Sequence, residues 1–129
     1  QPGADSPEEL WSNKLEFNFI TEVLEAREAV RLVAVKQGQP LEITAEYLKM
    51  WGKRDDLTAE NDVVVDYNGQ QMRGNRLEYK AEEAKMVMTE NVEVEQDGEW
   101  LSSQRAVLWL EDNVMEAEGE VEMEFEIKE

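Results

Sequence analysis

The feature that most constrains this chain is an internal repeat. Residues 13–32 (NKLEFNFITEVLEAREAVRL) align with residues 75–94 (NRLEYKAEEAKMVMTENVEV), apolar on apolar, and two further copies lie between and after them. Equivalent residues are separated by steps of 33, 29 and 29, and the four additional residues lie between Leu32 and Ile43. A repeat at a period of about 20 to 50 residues indicates stacked supersecondary units, because one unit cannot bury its apolar face alone. The repeat therefore predicts a stack of four similar units.

Apolar columns run through the four copies and alternate with polar residues. The columns are Leu24/Leu57/Met86/Met115, Ala26/Ala59/Met88/Ala117, Val30/Val63/Val92/Val121 and Leu32/Val65/Val94/Met123. Pairs such as Leu15 and Phe17 follow a period of two, which is typical of a strand with one buried face. The alternation is clearest at residues 121–127, where apolar and glutamate residues take turns. The copies therefore predict an all-β fold.

Turn-forming residues recur at fixed places in the repeat. Asn68-Gly69 and Asp97-Gly98 are one step of 29 apart and favour the primed turns of two-residue hairpins. Gln37-Gly38 is expected to turn the longer first hairpin. A polar or glycine residue also interrupts the apolar face two positions before each central valine, at Glu28, Asn61, Glu90 and Gly119. We interpret these four positions as bends.

Two segments carry helical signals. Residues 21–35 (TEVLEAREAVRLVAV) are rich in good helix formers. Their counterparts in other copies are rich in valine, however, so we expect a strand here as well. Ser6-Pro7-Glu8-Glu9 has the pattern of a helix start and predicts a short helix through about Trp11. The expected organisation is an amino-terminal segment with a short helix, residues 1–12, and one β domain, residues 13–129.

Composition excludes several kinds of function. The chain has 129 residues, 41% of them apolar, with 31 acidic and 13 basic side chains and a net charge of −18. So acidic a protein would be repelled by nucleic acid and by anionic membrane surfaces. It has neither cysteine nor histidine, which excludes disulfides, the usual zinc sites and histidine-dependent nucleophiles. We therefore expect no cofactor, no metal site and no catalytic residues.

Membrane and export signals are also missing from the sequence. No apolar run approaches the ~20 residues that span a bilayer. The amino terminus lacks the basic-then-apolar pattern of a signal peptide. We expect no transmembrane segment in this chain, and if the protein is exported, this is its processed form.

The repeat unit resembles a known family. It reads N-R-L-E-Y, several polar residues, M-x-M-T-E-N-V-E-V, and a turn with glycine. This pattern is similar to the OstA-like repeat of the lipopolysaccharide-transport periplasmic proteins, the family of LptA, LptC and the amino-terminal part of LptD, and it looks most like LptA. Residues 70–94 match best, and residues 115–121 (MEAEGEV) are similar to the family's A-x-G-N-V corner with Glu120 in place of asparagine. The resemblance covers about residues 13–127.

The resemblance implies an all-β stack of V-shaped rungs, a β-jellyroll whose apolar slot holds the acyl chains of lipopolysaccharide. It also implies a periplasmic location and edge-to-edge strand pairing with other Lpt-type β-jellyroll proteins or with further copies of this chain. The lipid-contacting residues that it implies are Leu15, Phe17, Val30, Leu32, Leu48, Met50, Val63, Val65, Leu77, Tyr79, Val92, Val94, Leu108, Val121 and Met123. The alternative is that these residues only pack, because inward side chains form the core by default.

Alternative interpretations remain open. In one, the slot is filled, and the chain is a structural interaction module that binds proteins through its sheet edges. Two sheets about 10 Å apart with interlocked side chains would leave no room for acyl chains and would favour this module. In another, surface carboxylates form an enzyme active site, but with 31 acidic residues chance proximity explains such pairs.

Two outward features also have two interpretations each. Lys14, Arg76 and Arg105, with Tyr47 in the remaining copy, form a column that could contact phosphate or pair with neighbouring glutamates. Trp51 and Trp109 share one column and should point outward. They could form a contact surface, cover a sheet edge or pack on the amino-terminal helix.

Overall fold

A computed structural model describes residues 8–125 and contains ten strands. They are β1 (Glu9–Trp11), β2 (Lys14–Asn18), β3 (Val23–Lys36), β4 (Gln39–Trp51), β5 (Asp56–Tyr67), β6 (Gln70–Lys80), β7 (Lys85–Gln96), β8 (Glu99–Trp109), β9 (Val114–Glu118) and β10 (Glu122–Glu124). No helix occurs in residues 8–125. The predicted all-β class is confirmed.

All ten strands belong to one antiparallel sheet. Strands β3 to β8 pair in chain order, each with the next. At one end β1 and β2 both pair with β3, and at the other end β9 and β10 both pair with β8. Each of these end pairs is therefore equivalent to one long strand broken in the middle. We call each long strand, and each broken pair, a rung.

Each rung is bent near its middle. Between β3 and β4, Glu28 and Ala29 lie opposite Glu46 alone, and both have positive φ angles of 68° and 53°. Positive φ pairs recur at Asn61/Asp62, Glu90/Asn91 and Gly119/Glu120. Two left-handed residues opposite one residue form a bulge, which bends the strand and increases its twist. The four predicted bends are confirmed, and we call them corners.

The corners divide the sheet into two arms. Arm 1 consists of residues 14–18, 23–27, 47–51, 56–60, 76–80, 85–89, 105–109 and 114–118, and arm 2 consists of residues 9–11, 30–36, 39–45, 63–67, 70–74, 92–96, 99–103 and 122–124. Arm 2 is longest in β3 and β4, where the four additional residues of the first hairpin lengthen each strand by one pleat.

Two-residue turns connect the arm 2 segments. Asn68 and Gly69 have φ angles of 49° and 82°, and Gln37-Gly38 and Asp97-Gly98 likewise have positive φ at both positions. Two positive φ angles define the primed turn that matches the twist of a hairpin. The three predicted turns are confirmed. So is the strand at Val23–Lys36, where sheet pairing on both sides overrides the local helix propensity.

The sheet folds over so that its two arms face each other. In a flat sheet the 13 residues of β4 would hold the turns at its two ends about 40 Å apart. Lys36 and Asp55 lie beside those two turns, yet Lys36 Nζ is 3.4 Å from Asp55 Oδ2. The arms must therefore close on each other about the corners.

The ends of the chain differ from the prediction. The helix predicted through Trp11 is wrong in the described part, because Glu9–Trp11 forms β1 and pairs with β3. Ser6 and Pro7 lie outside the described residues. The residues have a local helix-start pattern, but the free edge of β3 offers main-chain hydrogen bonds to an added strand, and this pairing overrides the local preference. The strand predicted over residues 121–127 is shorter in the structure, since β10 spans Glu122–Glu124. Ile127 lies outside the described residues.

Candidate functional site

The folded sheet encloses one apolar core to which both arms contribute. The sequence-predicted inward residues that are buried in this core are Val30, Leu32, Leu48, Val63, Val65, Leu77, Tyr79, Val92, Val94 and Leu108. Met50 is half-buried and packs against the same core. Because the core is continuous from β3 to β8, the structure brings the predicted columns of the central rungs together.

Close to the corner, the side chains of the two facing arms are complementary in size. Met88 occupies a column that otherwise holds alanine, at Ala26, Ala59 and Ala117. Gly74 of the facing arm gives it room, since a Cβ atom at Gly74 would lie only 2.6 Å from Met88 Cγ. A large residue on one arm is thus compensated by the absence of a side chain on the other, as close packing requires.

The centre of this interior is closed. Ile43, Leu48, Leu77 and Met86 each have 0% of their surface exposed, so no water molecule can contact them. The interlocked packing that we expected to favour a structural module is therefore present in the central rungs. An acyl chain could occupy this region only if the two arms moved apart.

The two end rungs are open. Leu15 of β2 is 54% exposed, although Leu48 and Leu77, which occupy the same position in the next two copies, are buried. Met123 of β10 is 57% exposed, although the rest of its column is buried. Phe17 and Val121 are also exposed. These four predicted site residues lie at opposite ends of the stack, where only one neighbouring rung covers them. The apolar interior consequently reaches the surface at both ends.

Phe19 and Ile20 extend the amino-terminal end. Both lie in the turn after β2 and are 86% and 85% exposed. The Asn18 side chain fixes this turn, since its Oδ1 accepts hydrogen bonds from the main-chain N–H groups of Ile20 and Thr21, both at 2.9 Å. The columns did not include these two residues, because they lie between strands.

The interior has a third boundary, which we call the mouth. It runs along the stack between the free tips of the two arms, opposite the corners. Lys36 Nζ lies there, 2.9 Å from Glu8 Oε1 and 3.4 Å from Asp55 Oδ2. Although burial alone would lower the pKa of Lys36, the hydrogen bond to Glu8 and the charges of Glu8 and Asp55 raise it above its usual value. Lys36 therefore carries its positive charge at the mouth.

Sequence reasoning did not single out Lys36. The alternation Val30, Leu32, Ala34, Lys36 places it on the inward face, and that signal was available. Tyr67 also closes this region, since its hydroxyl donates a 2.9 Å hydrogen bond to the main-chain oxygen of Lys36.

The outward basic column pairs with glutamates. Lys14 Nζ lies 3.0 Å from Glu28 Oε2, and Arg105 Nη1 lies 2.9 Å from Glu118 Oε1. Arg76 pairs with Glu60 in the same way. Of the two interpretations of this column, glutamate pairing is the one that the structure contains.

Tyr47, the fourth member of that column, contacts a glutamate as well. Its hydroxyl donates a 3.2 Å hydrogen bond to Glu25 Oε1. Burial, together with this hydrogen bond, raises the pKa of Tyr47. A polar groove of about 750 Å³ beside it is lined by residues that include Arg27, Lys49 and Glu60. Its lining does not suit an acyl chain.

The outward tryptophans are covered by cations. Lys49 Nζ lies 4.9 Å from the ring centre of Trp51, and Lys85 Nζ lies 5.0 Å from that of Trp109. Trp109 Nε1 also donates a hydrogen bond to Glu116. Both side chains are half-buried, so they stabilise the outer face of arm 1 through cation–π contacts.

The described residues offer neither a metal-binding cluster nor a membrane-spanning helix. Residues 8–125 contain no group of three or more acidic side chains arranged to hold a metal ion. The same range contains no helix long and apolar enough to cross a membrane.

Comparison with known proteins identifies the fold. No protein-family model matches the sequence, and no curated protein matches it. Among solved structures, the chain is similar to LptH from Pseudomonas aeruginosa, described as the LptA-homologous periplasmic component of the lipopolysaccharide transport device. The TM-score is 0.81 at 13% identity, over 94% of this chain and 96% of that chain. The chain therefore has the LptA-like β-jellyroll fold along nearly its whole length.

Proposed function

We propose that this chain is a non-enzymatic, periplasmic component of lipopolysaccharide transport that holds acyl chains between its two arms. The observation that carries the proposal is an apolar interior that runs the length of the stack and reaches the surface at both ends. The full-length likeness to a solved transport component supports it. Apolar contacts suit a lipid conduit, because burial stabilises by about 25 cal/mol per Å² without requiring directional bonds.

Opening the closed centre would break no main-chain pairing. The hydrogen bonds of the sheet run from rung to rung along the stack, whereas the two arms face each other through side chains. Parting the arms therefore exposes apolar surface, and an inserted acyl chain would cover that surface again. Each buried CH₂ group of the lipid is worth about 0.8 kcal/mol.

The two ends suit edge-to-edge assembly. The outer sides of the end rungs present main-chain groups that could pair with another strand. Exposed apolar side chains lie beside each edge, including Leu15 at one end and Met123 at the other. We propose that other β-jellyroll proteins, or further copies of this chain, continue the stack there and join the apolar interiors.

Site-specific photocrosslinking tests the lipid site. Probes at Val63, Tyr79 and Val92 report on the interior, and a probe at exposed Glu93, next to Val92, is the matched outward control. After incubation with lipopolysaccharide, the interior probes should capture lipid A and the control should not. Labelling confined to Glu93 would contradict a slot between the arms.

A structural interaction module is the second candidate. The closed centre favours it, since Leu77 and Met86 leave no space even for water. In that case the protein should gain thermal stability from a partner that adds a strand at an end rung and none from lipopolysaccharide. The first candidate predicts protection by both.

A further inference from the structure

The two halves of the mouth differ. Over β3 to β6, Lys36 extends from arm 2 and its ammonium lies 3.4 Å from Asp55 Oδ2, in a turn of arm 1. The ammonium also lies 5.7 Å from the ring centre of Tyr79, on β6 of arm 1. Side chains of the two arms therefore meet across the mouth in this half of the stack.

Lys36 reaches the mouth because the first hairpin is longer than the others. The four additional residues of the repeat lengthen β3 and β4, so Lys36 lies one pleat beyond the last inward residue of β5, Tyr67. It is the only basic residue that alternation places on the inward face of the described strands. The hairpins of β5–β6 and β7–β8 have no residue equivalent to Lys36.

The mouth over β7 and β8 lacks such a contact. The inward tip residues there are Gln96 and Glu99, and both are exposed. Within residues 8–125 neither side chain forms a hydrogen bond or an ion pair. Among residues 8–125, the two arms of this half meet through apolar packing deeper in the interior.

The two carboxylates on Lys36 have different positions. Asp55 belongs to arm 1 and lies across the mouth from Lys36. Glu8 directly precedes β1, which pairs with the arm 2 half of β3, so it lies on the same side as Lys36. Although Glu8 is closer, at 2.9 Å, of these two ion pairs it is the one with Asp55 that joins the two arms.

We propose that Lys36 and Asp55 form a latch that closes the mouth over β3 to β6 and directs an inserting acyl chain to the mouth over β7 and β8. The latch controls how the two arms part. Its role in the access of acyl chains rests on the proposed lipid-binding function. Because the ion pair is partly exposed, it biases the opening without preventing it.

A distance measurement without lipid tests the latch itself. The chain has no cysteine, so Asp66→Cys on arm 2 and Lys53→Cys on arm 1 provide two unique sites for spin labels across the latched half. Asp55→Asn should broaden the distribution of distances between the two labels and extend it toward longer values. Asparagine suits this position because Asp55 has a φ of 56°, which asparagine tolerates.

The matched control is Glu8→Gln, which removes the closer carboxylate on Lys36 and should leave the label distance unchanged. Lys36→Met, which keeps the apolar stem without the charge, should behave like Asp55→Asn. An unchanged distance in both Asp55→Asn and Lys36→Met, or an equal change in Glu8→Gln, would overturn the latch.

Uptake of 11-(dansylamino)undecanoic acid, an acyl-chain probe, tests the direction of access. A cleavable thiol crosslink between Asp66→Cys and Lys53→Cys should slow uptake by no more than about a third, because a two- to fivefold bias makes the latched half a minor route. The same crosslink between Glu95→Cys and Glu111→Cys, over β7 and β8, should slow uptake and be reversed by cleavage. Without crosslinks, Asp55→Asn should speed opening of the latched half about two- to fivefold, the factor expected for one partly exposed ion pair, and should raise total uptake by less than about twofold.

The outcomes separate the two proposals. If the crosslink over β3 to β6 slows uptake as much as the one over β7 and β8, or if neither slows it, access through the unlatched half is wrong. If no variant takes up the probe, the lipid-binding function fails, and the label distances still decide whether the latch exists.

Discussion

The central and end rungs have the same sequence pattern but different environments. Leu77 and Leu15 share one column, yet Leu77 has 0% of its surface exposed and Leu15 has 54%. Val65 and Met123 share another column and differ in the same way. Each central rung has a neighbour on both sides, whereas each end rung has one. The same residue type is therefore part of the core in the central rungs and exposed to solvent in the end rungs.

This difference distinguishes two roles, core packing and contact with a partner or lipid, that the repeat pattern alone cannot tell apart. Inward residues of β3 to β8 stabilise the fold by close packing, and any lipid must displace that packing. Exposed inward residues of β2 and β10, such as Leu15 and Met123, contribute less to stability and remain free to contact a partner or a lipid, whereas Met115 and Ala117 of β9 are half-buried and pack against the core. Substitutions in the two regions should consequently change different measurable properties.

The largest expected effect comes from truncating the same column in both regions. Leu77→Ala should lower the free energy of unfolding by about 2 to 5 kcal/mol, because it leaves a cavity in a filled interior. Leu15→Ala should cost less than about 1 kcal/mol, since that side chain is half exposed already. Urea denaturation of both variants measures the difference. Equal losses would contradict the distinction between centre and end.

Filling the space at Gly74 tests how tightly the arms fit. Gly74→Ala should destabilise by about 1 to 3 kcal/mol, because the new Cβ atom would meet Met88. Met88→Ala should remove most of that penalty, so the double variant should be more stable than the sum of the single effects predicts. Strictly additive effects would show that the two arms are not in contact at this point.

The corners offer a smaller test. Gly119 occupies the corner of the carboxy-terminal end rung, but the corner within β3 contains Ala29 with a φ of 53°. Ala29→Gly should stabilise by up to about 1 kcal/mol, because glycine adopts positive φ without strain. Ala26→Gly, a buried control in the straight part of the same strand, should destabilise instead. A loss of stability in both variants would argue against strain at the corner.

An end-rung substitution should affect assembly and leave stability almost unchanged. Met123→Glu should alter the free energy of unfolding by no more than about 0.5 kcal/mol, as is usual for exposed positions. It should weaken association of the chain with itself or with a β-jellyroll partner, measured by analytical ultracentrifugation. Lys85→Glu, on the outer face, is the control. Association that is lost in the control but retained in Met123→Glu would contradict joining through the ends.

The smallest expected effect is the pH dependence of the latch. The pKa of Lys36 is raised, so its stabilising contribution is fully present below the ordinary lysine pKa of about 10.4 and is lost only as pH rises beyond that value. The stability difference between the native chain and Lys36→Met should therefore be constant from about pH 7 to 9. A difference that declines within this range would show that Lys36 loses its charge there.

The sequence predicts the central rungs well because several signals coincide there. Alternation, turn dipeptides and the interrupted position before each central valine all follow one period, so the corners at Glu28, Asn61 and Glu90 could be placed without a structure. Even the helix-favouring residues 21–35 could be assigned to a strand, because three related copies argued against a helix.

The ends and the mouth could not be predicted in the same way. A repeat pattern contains no information on how many neighbours a copy has, so Leu15 and Met123 looked the same as Leu77 and Val65. The segment before Trp11 has a local helix pattern and lacks a counterpart in other copies. The role of Lys36 depends on the extra length of one hairpin and on a residue of the opposite arm, which no single column reveals.

The most direct test of the central claim is whether an acyl chain enters between the arms. Methyl NMR of the free chain and of the chain with a spin-labelled stearic acid measures this, with Met86 and Met88 as interior reporters and Val64 and Val87 as reporters on the outer face. A lipid site between the arms predicts strong broadening of the two methionine signals at concentrations that leave both valines unchanged. Broadening of the outer valines alone, or equal broadening of all four, would contradict a lipid site in the interior.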